Sequence, residues 1–104
     1  MSEQAMPLPI PADHPAYAGH FPGRPILPGV VLLDAALHVL AERAGVPPGP
    51  VQLKSAKFLS PVLPGEALTL HCAASPAGGV RFEIRCGERS VASGAVVFLQ
   101  EPAA

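Results

Sequence analysis

Charge is scarce in this sequence: 14% of its 104 residues are Asp, Glu, Lys or Arg, against 49% apolar. That balance excludes intrinsic disorder, which shows the reverse ratio. The seven Lys and Arg are scattered and the net charge is −1, so there is no clustered positive surface for nucleic acid. Cysteine is nearly absent. Cys72 and Cys86 stand 14 residues apart with no second pair, which leaves no zinc spacing and no CxxC redox motif. Both thiols read as small core residues in a reducing, cytoplasmic setting. The start MSEQAMPLPIPADHP lacks the basic residues and apolar run of a secretory signal. The longest apolar stretch is broken by Asp34 and His38, well short of the roughly 20 residues a membrane span requires. So few charges leave a sparse polar surface, and we expect apolar surface to be covered by a partner subunit. The length allows one core, so residues 1–104 are expected to form a single domain.

Proline and glycine, by contrast, are plentiful. Residues 13–28 hold Pro15, Gly19, Pro22, Gly23, Pro25 and Pro28, which predicts a loop with a constrained backbone. Before it, residues 5–10 fit a short edge strand, although Pro7 and Pro9 each remove a ladder donor. A helix of about 16 residues, roughly 24 Å long, is predicted after Pro28, with Gly45 as its stop. Val30, Val31, Leu32, Leu33, Leu37, Val39 and Leu40 cover most of its directions, so it should be wrapped by other structure. The period then changes to two. Strand-like segments follow at 51–59, 67–74, 80–86 and 90–99, with Leu68, Leu70 and Cys72 on one apolar face and Val80, Phe82, Ile84 and Cys86 on another. Residues 76–79 and Gly87-Glu88 suit hairpin turns, Pro64-Gly65 is a further break, and the short links favour a meander. The predicted class is α+β: a curved antiparallel sheet around one long helix.

Three residues in the stretch HPAYAGHFPGRPILPGVVLLDAAL suggest chemistry. His20 sits in a loop stiff enough to aim an acid–base group. Gly29 lies at the helix start, where unpaired N–H groups and the positive dipole end suit a carbonyl oxygen or an anion. Asp34 is an acid inserted in an apolar helix, costly to bury ionised without a partner. Each has a plainer reading. His20 could be structural, Gly29 could simply begin the helix, and Asp34, His38 and Glu42, spaced by four, could form the solvated stripe.

Together these residues resemble the signature of the 3-hydroxyacyl-[acyl-carrier-protein] dehydratases of fatty-acid synthesis. The match runs through Gly19-His20-Phe21-Pro22-Gly23-Arg24-Pro25, two apolar residues, Pro28-Gly29-Val30, and an acid fourteen residues after the histidine. Two later stretches, Lys57-Phe58-Leu59-Ser60-Pro61-Val62-Leu63-Pro64-Gly65-Glu66 and Ser90-Val91-Ala92-Ser93-Gly94-Ala95, are similar to further landmarks of the family. The resemblance implies a hotdog fold that dimerises through one continuous sheet, acting on acyl chains carried by an acyl carrier protein. It implies active sites at the subunit interface, with His20 from one subunit as base and Asp34 from the other as acid. The Gly29 N–H would polarise the thioester carbonyl, and Phe21 and Val30 would line the substrate channel. No metal or organic cofactor is implied.

The chain departs from the family's common pattern in three respects, one being a small size and terse loops more similar to accessory dehydratases of specialised lipid or polyene pathways. Nineteen residues precede His20, where the family has a longer segment. The acid is Asp34, where more widespread members carry glutamate; aspartate marks the branch that also isomerises the 2-enoyl product. The competing expectations are a non-catalytic acyl-binding subunit paired with an active homologue, and an acyl thioesterase. Phe21 and Tyr17 are read as lining the loop or tunnel or, equally, packing in the core, and His14 as a loop or capping residue. His38 is read as packing or hydrogen-bonding at the interface. A metal site of His20, Asp34 and His38 lacks the HExxH-type spacing, and His71 has no partner motif. Arg24, Lys54, Lys57, Arg81, Arg85 and Arg89 read mostly as solvated surface, some able to meet an acidic carrier or a phosphate.

Overall fold

The computed structural model describes residues 4–11, 13–15, 26–47, 49–75 and 78–99. Its elements are β1 (Gln4–Leu8), α1 (Gly29–Ala44), β2 (Val51–Phe58), β3 (Leu68–Ala74), β4 (Val80–Cys86) and β5 (Arg89–Phe98). The strands form one antiparallel sheet in the order β1-β3-β4-β5-β2. The expected meander holds for β3, β4 and β5. β2 departs from it, crossing to the far edge to pair with β5, while β1 pairs with β3 at the other edge. Pro7 is tolerated because β1 is an edge strand, where a missing ladder donor can face outward.

The helix boundaries follow from residue chemistry. Pro28 sits at the N-cap with extended backbone, φ −61° and ψ 141°. At the other end Gly45 adopts φ 70°, a left-handed conformation cheap only for glycine. Its N–H donates to the Glu42 carbonyl at 3.1 Å, and the Val46 N–H to the Ala41 carbonyl at 3.0 Å. These are the paired bonds of a Schellman motif, which satisfies two otherwise orphaned carbonyls. The link between β4 and β5 is the two residues Gly87 and Glu88, with positive φ (62°) at the glycine alone. That is the pattern of a II′ turn, whose twist matches the flanking strands.

Leu32, Ala36 and Leu40 of α1 lie against Leu68, Leu70, Cys72, Phe82, Ile84, Val91, Ala92 and Val96 of the sheet, all buried. Full burial of a side chain such as Leu70 or Ile84 contributes about 1.5–3 kcal/mol relative to exposure. The helix is covered on one side only. Val31, Leu33, Ala35, Leu37 and Val39 are partly buried, and Val30 is 68% exposed. The wrapping expected from an all-round apolar helix is therefore incomplete within one chain. β2 is open as well: seven of its eight residues are exposed, including Leu53 and Phe58. Among the described residues no helix is long and apolar enough to cross a membrane.

Candidate active site

His20 and Phe21 lie outside the described residues, as do Tyr17 and Arg24. The other expected site residues all fall on α1. Gly29 is its first residue, Val30 its second, and Asp34 stands one turn beyond Val30 on the same stripe. That stripe, continued by His38 and Glu42, faces away from the sheet because the four-residue step keeps these side chains opposite Leu32, Ala36 and Leu40. The Asp34 side chain is 72% exposed and its Oδ2 lies 3.5 Å from His38 Nε2, itself 76% exposed. In the single chain the acid is thus solvated, and the cost of burying it ionised does not arise.

At the helix start, the Pro28 carbonyl accepts from the Val31 N–H (3.1 Å) and the Leu32 N–H (3.3 Å). The N–H groups of Gly29 and Val30 have no acceptor among the described residues, as the first turn of any helix leaves them. A groove of about 490 Å³ runs past this turn, lined by Leu27, Gly29, Val30, Phe58, Leu59 and Pro61 among others. The Phe58 ring packs closely over Gly29: a Cβ there would lie 2.9–3.0 Å from it and would push the half-exposed ring aside. A second groove, of about 320 Å³, is lined by Asp34, Leu37, His38, Val51 and Phe98. Both grooves lie between α1 and the open β2 edge with its flanks.

Two ion pairs escaped the sequence reading, which took Arg85 and Arg89 as surface charge. One Arg89 Nη2 donates to both Glu66 carboxylate oxygens, at 2.9 and 2.8 Å, and the Leu63 N–H donates to Glu66 Oε1 at 2.8 Å. Glu66 is held below the usual carboxylate range first by that Leu63 N–H and then by Arg89. On the outer face of the sheet Glu83 accepts from Arg85 Nε (2.7 Å) and Ser90 Oγ (2.7 Å). Those bonds lower its range too, with a smaller contribution from His71, which stands opposite it across β3 and β4. The sequence signal for the Glu83 cluster was its alternation with Arg81 and Arg85 on the outward face of β4. Nothing local marks Glu66 and Arg89, 23 residues apart, as partners. No group of three or more metal-ligating side chains occurs among the described residues.

Comparison with known proteins adds to this geometry. The profile of a family described as ApeI-like, ApeI dehydratase, matches residues 2–95. A protein of Chlamydia trachomatis named 3-hydroxyacyl-[acyl-carrier-protein] dehydratase FabZ is 36% identical over 107 aligned positions, covering 86% of this chain and 67% of that protein. Among solved structures, the dehydratase heterocomplex ApeI:P from Xenorhabdus doucetiae superimposes with a TM-score of 0.71 at 24% identity, over 91% of this chain and 85% of that one. A mutant of the fluoroacetyl-CoA-specific thioesterase FlK does so with a TM-score of 0.62 at 12% identity, over 94% and 87% of the two chains. Both structural likenesses concern the fold alone, and the fold is the hotdog.

Proposed function

Because this chain belongs to the ApeI-like dehydratase family, we propose that it converts 3-hydroxyacyl thioesters on an acyl carrier protein to trans-2-enoyl thioesters. The observation that carries this reading is the relative named for that reaction, at 36% identity over 86% of the chain. In the proposed reaction His20 takes the proton from C2, next to the thioester carbonyl. The C3–O bond breaks as Asp34 of a second copy gives a proton to the departing hydroxyl, directly or through water, and water leaves. The amide groups at the start of α1 would hold the developing enolate oxygen; one such donor is typically worth about 10²–10³ in rate. Phe21 and Val30 would line the channel. Proton transfer and a fixed oxyanion site supply what this elimination needs, so the reaction calls for no metal or organic cofactor.

The unpaired edge of β2 and the exposed Val30–Asp34–His38 stripe support a homodimer joined edge to edge, which would cover both. Fatty-acid or specialised lipid synthesis in the cytoplasm is the setting this chemistry fits. His20→Ala in the full chain should abolish hydration of a crotonyl thioester while the circular dichroism spectrum stays native. Retained turnover would defeat the assignment.

A second reading is favoured by one observation: the structural neighbour from Xenorhabdus doucetiae is a dehydratase heterocomplex. On that reading this chain pairs with a homologue and is silent alone. Turnover by the purified chain at the mass of a homo-oligomer would exclude it.

A further inference from the structure

We propose that Glu66 and Arg89 are positioning residues for the dehydration, clamping the segment that fixes the start of α1. This rests on the function proposed above. The connection is a sequence of short links. Val91 is the extra residue of a bulge, where Ile84 pairs with Ala92 but Arg85 pairs with Ser90. Its carbonyl, turned from β4, accepts from the N–H groups of Leu59 (2.8 Å) and Ser60 (3.2 Å). One residue further, Arg89 Nη2 donates to the Pro61 carbonyl at 3.4 Å as well as to Glu66. The turn from Leu63 to Glu66 is closed twice: the Glu66 N–H donates to the Leu63 carbonyl at 3.2 Å, and the Glu66 carboxylate accepts the Leu63 N–H. Pro64 and Gly65, the latter at φ 85°, supply the central residues of a type II turn.

Between these fixed points lies Val62, 2% exposed, whose carbonyl accepts the Leu27 N–H at 3.0 Å. Leu27 and Pro28 are buried and lead directly into Gly29. The clamp therefore sets the depth of the first helical turn against the groove. An oxyanion donor must be held to within about 0.5 Å, and a misplacement of about 1 Å can cost 10²-fold in rate. The pair is part-exposed, Arg89 at 44% and Glu66 at 22%, a setting in which an ion pair adds little to stability. Its loss should free the segment while the fold stands.

The test compares the full-length wild-type protein with Glu66→Leu and Glu66→Gln. It measures kcat and KM on a crotonyl thioester, and amide hydrogen exchange at Leu27, Leu70 and Ile84. Glu66→Leu should lower kcat by about 10- to 100-fold with KM little changed, and speed exchange at Leu27 but not at Leu70 or Ile84. Glu66→Gln keeps an acceptor for the Leu63 N–H and should recover most of the loss. If Glu66→Leu does not fold, Arg89→Met, which leaves the Leu63 bond in place, carries the same expectation. A folded Glu66→Leu or Arg89→Met with kcat within twofold of wild type overturns the positioning role. So does a loss accompanied by equal acceleration of exchange at Leu70 and Ile84, since that is global destabilisation. Absence of turnover in the wild-type protein overturns the reading in which this chain catalyses the dehydration as a homo-oligomer, and the positioning role with it.

Discussion

The most demanding test of this architecture is a single methyl group at Gly94. This residue lies mid-way along β5, opposite Ala56 of β2 and Phe82 of β4. A Cβ there would stand 2.4 Å from the Ser55 carbonyl oxygen and 2.8 Å from Phe82 Cζ. Neither neighbour yields cheaply. The first is backbone in a paired strand, and the second belongs to a ring only 5% exposed in the core. Gly94→Ala must therefore displace β2 or force the ring off its rotamer, the kind of overpacking that costs about 1–3 kcal/mol. In a domain of this size each kcal/mol lowers Tm by about 4–8 °C, so the melt should fall by at least several degrees. Gly45→Ala is the control. Its Cβ would meet nothing within 4 Å, and only its φ of 70° opposes the change. Scanning calorimetry at one fixed protein concentration reads both, since Tm of an associating protein depends on concentration. A Gly94→Ala variant that melts within 1 °C of wild type would show that β2 does not sit where the register puts it.

Three further outcomes are expected. Asp34→Asn should lower turnover of a crotonyl thioester by about 10²–10⁴-fold, yet move Tm by only a few degrees, because its exposed contact with His38 contributes little; a large stability loss would contradict that exposure. Glu66 and Glu83 both have folded pKa values below the ordinary 4.5. Their stabilisation is thus fully present above pH 4.5 and is lost as pH falls through the lowered folded values. Tm should drop in that acid window, less steeply in a Glu66→Gln, Glu83→Gln double variant; identical acid limbs for the two proteins would refute this. Phe58→Asp places a charge on the exposed β2 edge, 54% open in one chain, and sedimentation should show a dimer reduced to monomer. A dimer that survives unchanged would put the subunit contact elsewhere.

The parts of the fold legible in the sequence are those set by neighbours in the chain. Pro28 and Gly45 bound the helix, and alternation within Leu68–Ala74 and Val80–Cys86 gave both the strands and their inward faces. The Gly87-Glu88 turn needed only its own two residues. The place of β2 was not legible in the same way. Residues 59–67 look like one more short link, but they carry the chain across the sheet, and only the pairing of β2 with β5 reveals it. β1 is expected over residues 5–10 but spans Gln4–Leu8, ending just before Pro9, which has no N–H to offer the ladder.

Asp34 and Glu66 show why the candidate site was only half readable. Asp34 was conspicuous because it interrupts an apolar run, yet that run suggested enclosure, and the single chain leaves the Asp34 stripe open to water. Beside it Val30 is 68% exposed, and Val31, Leu33, Ala35 and Leu37 are only partly buried against the core, so much of their apolar surface is left open within the chain. The expectation of a covering subunit, drawn from scarce charge, and the exposed β2 edge address the same shortfall. Glu66 is the reverse case. In sequence it was one residue of a family landmark with no assigned task, and its neighbours Pro64 and Gly65 announced only a turn. What gives it a role is the bulge at Val91, which turns one carbonyl toward residues 59–60 while β5 begins at Arg89, within reach of the turn. A bulge is invisible to alternation because it adds a single residue to a strand, and here the start of β5 meets residues 59–66, the segment whose Val62 carbonyl holds Leu27 just before α1.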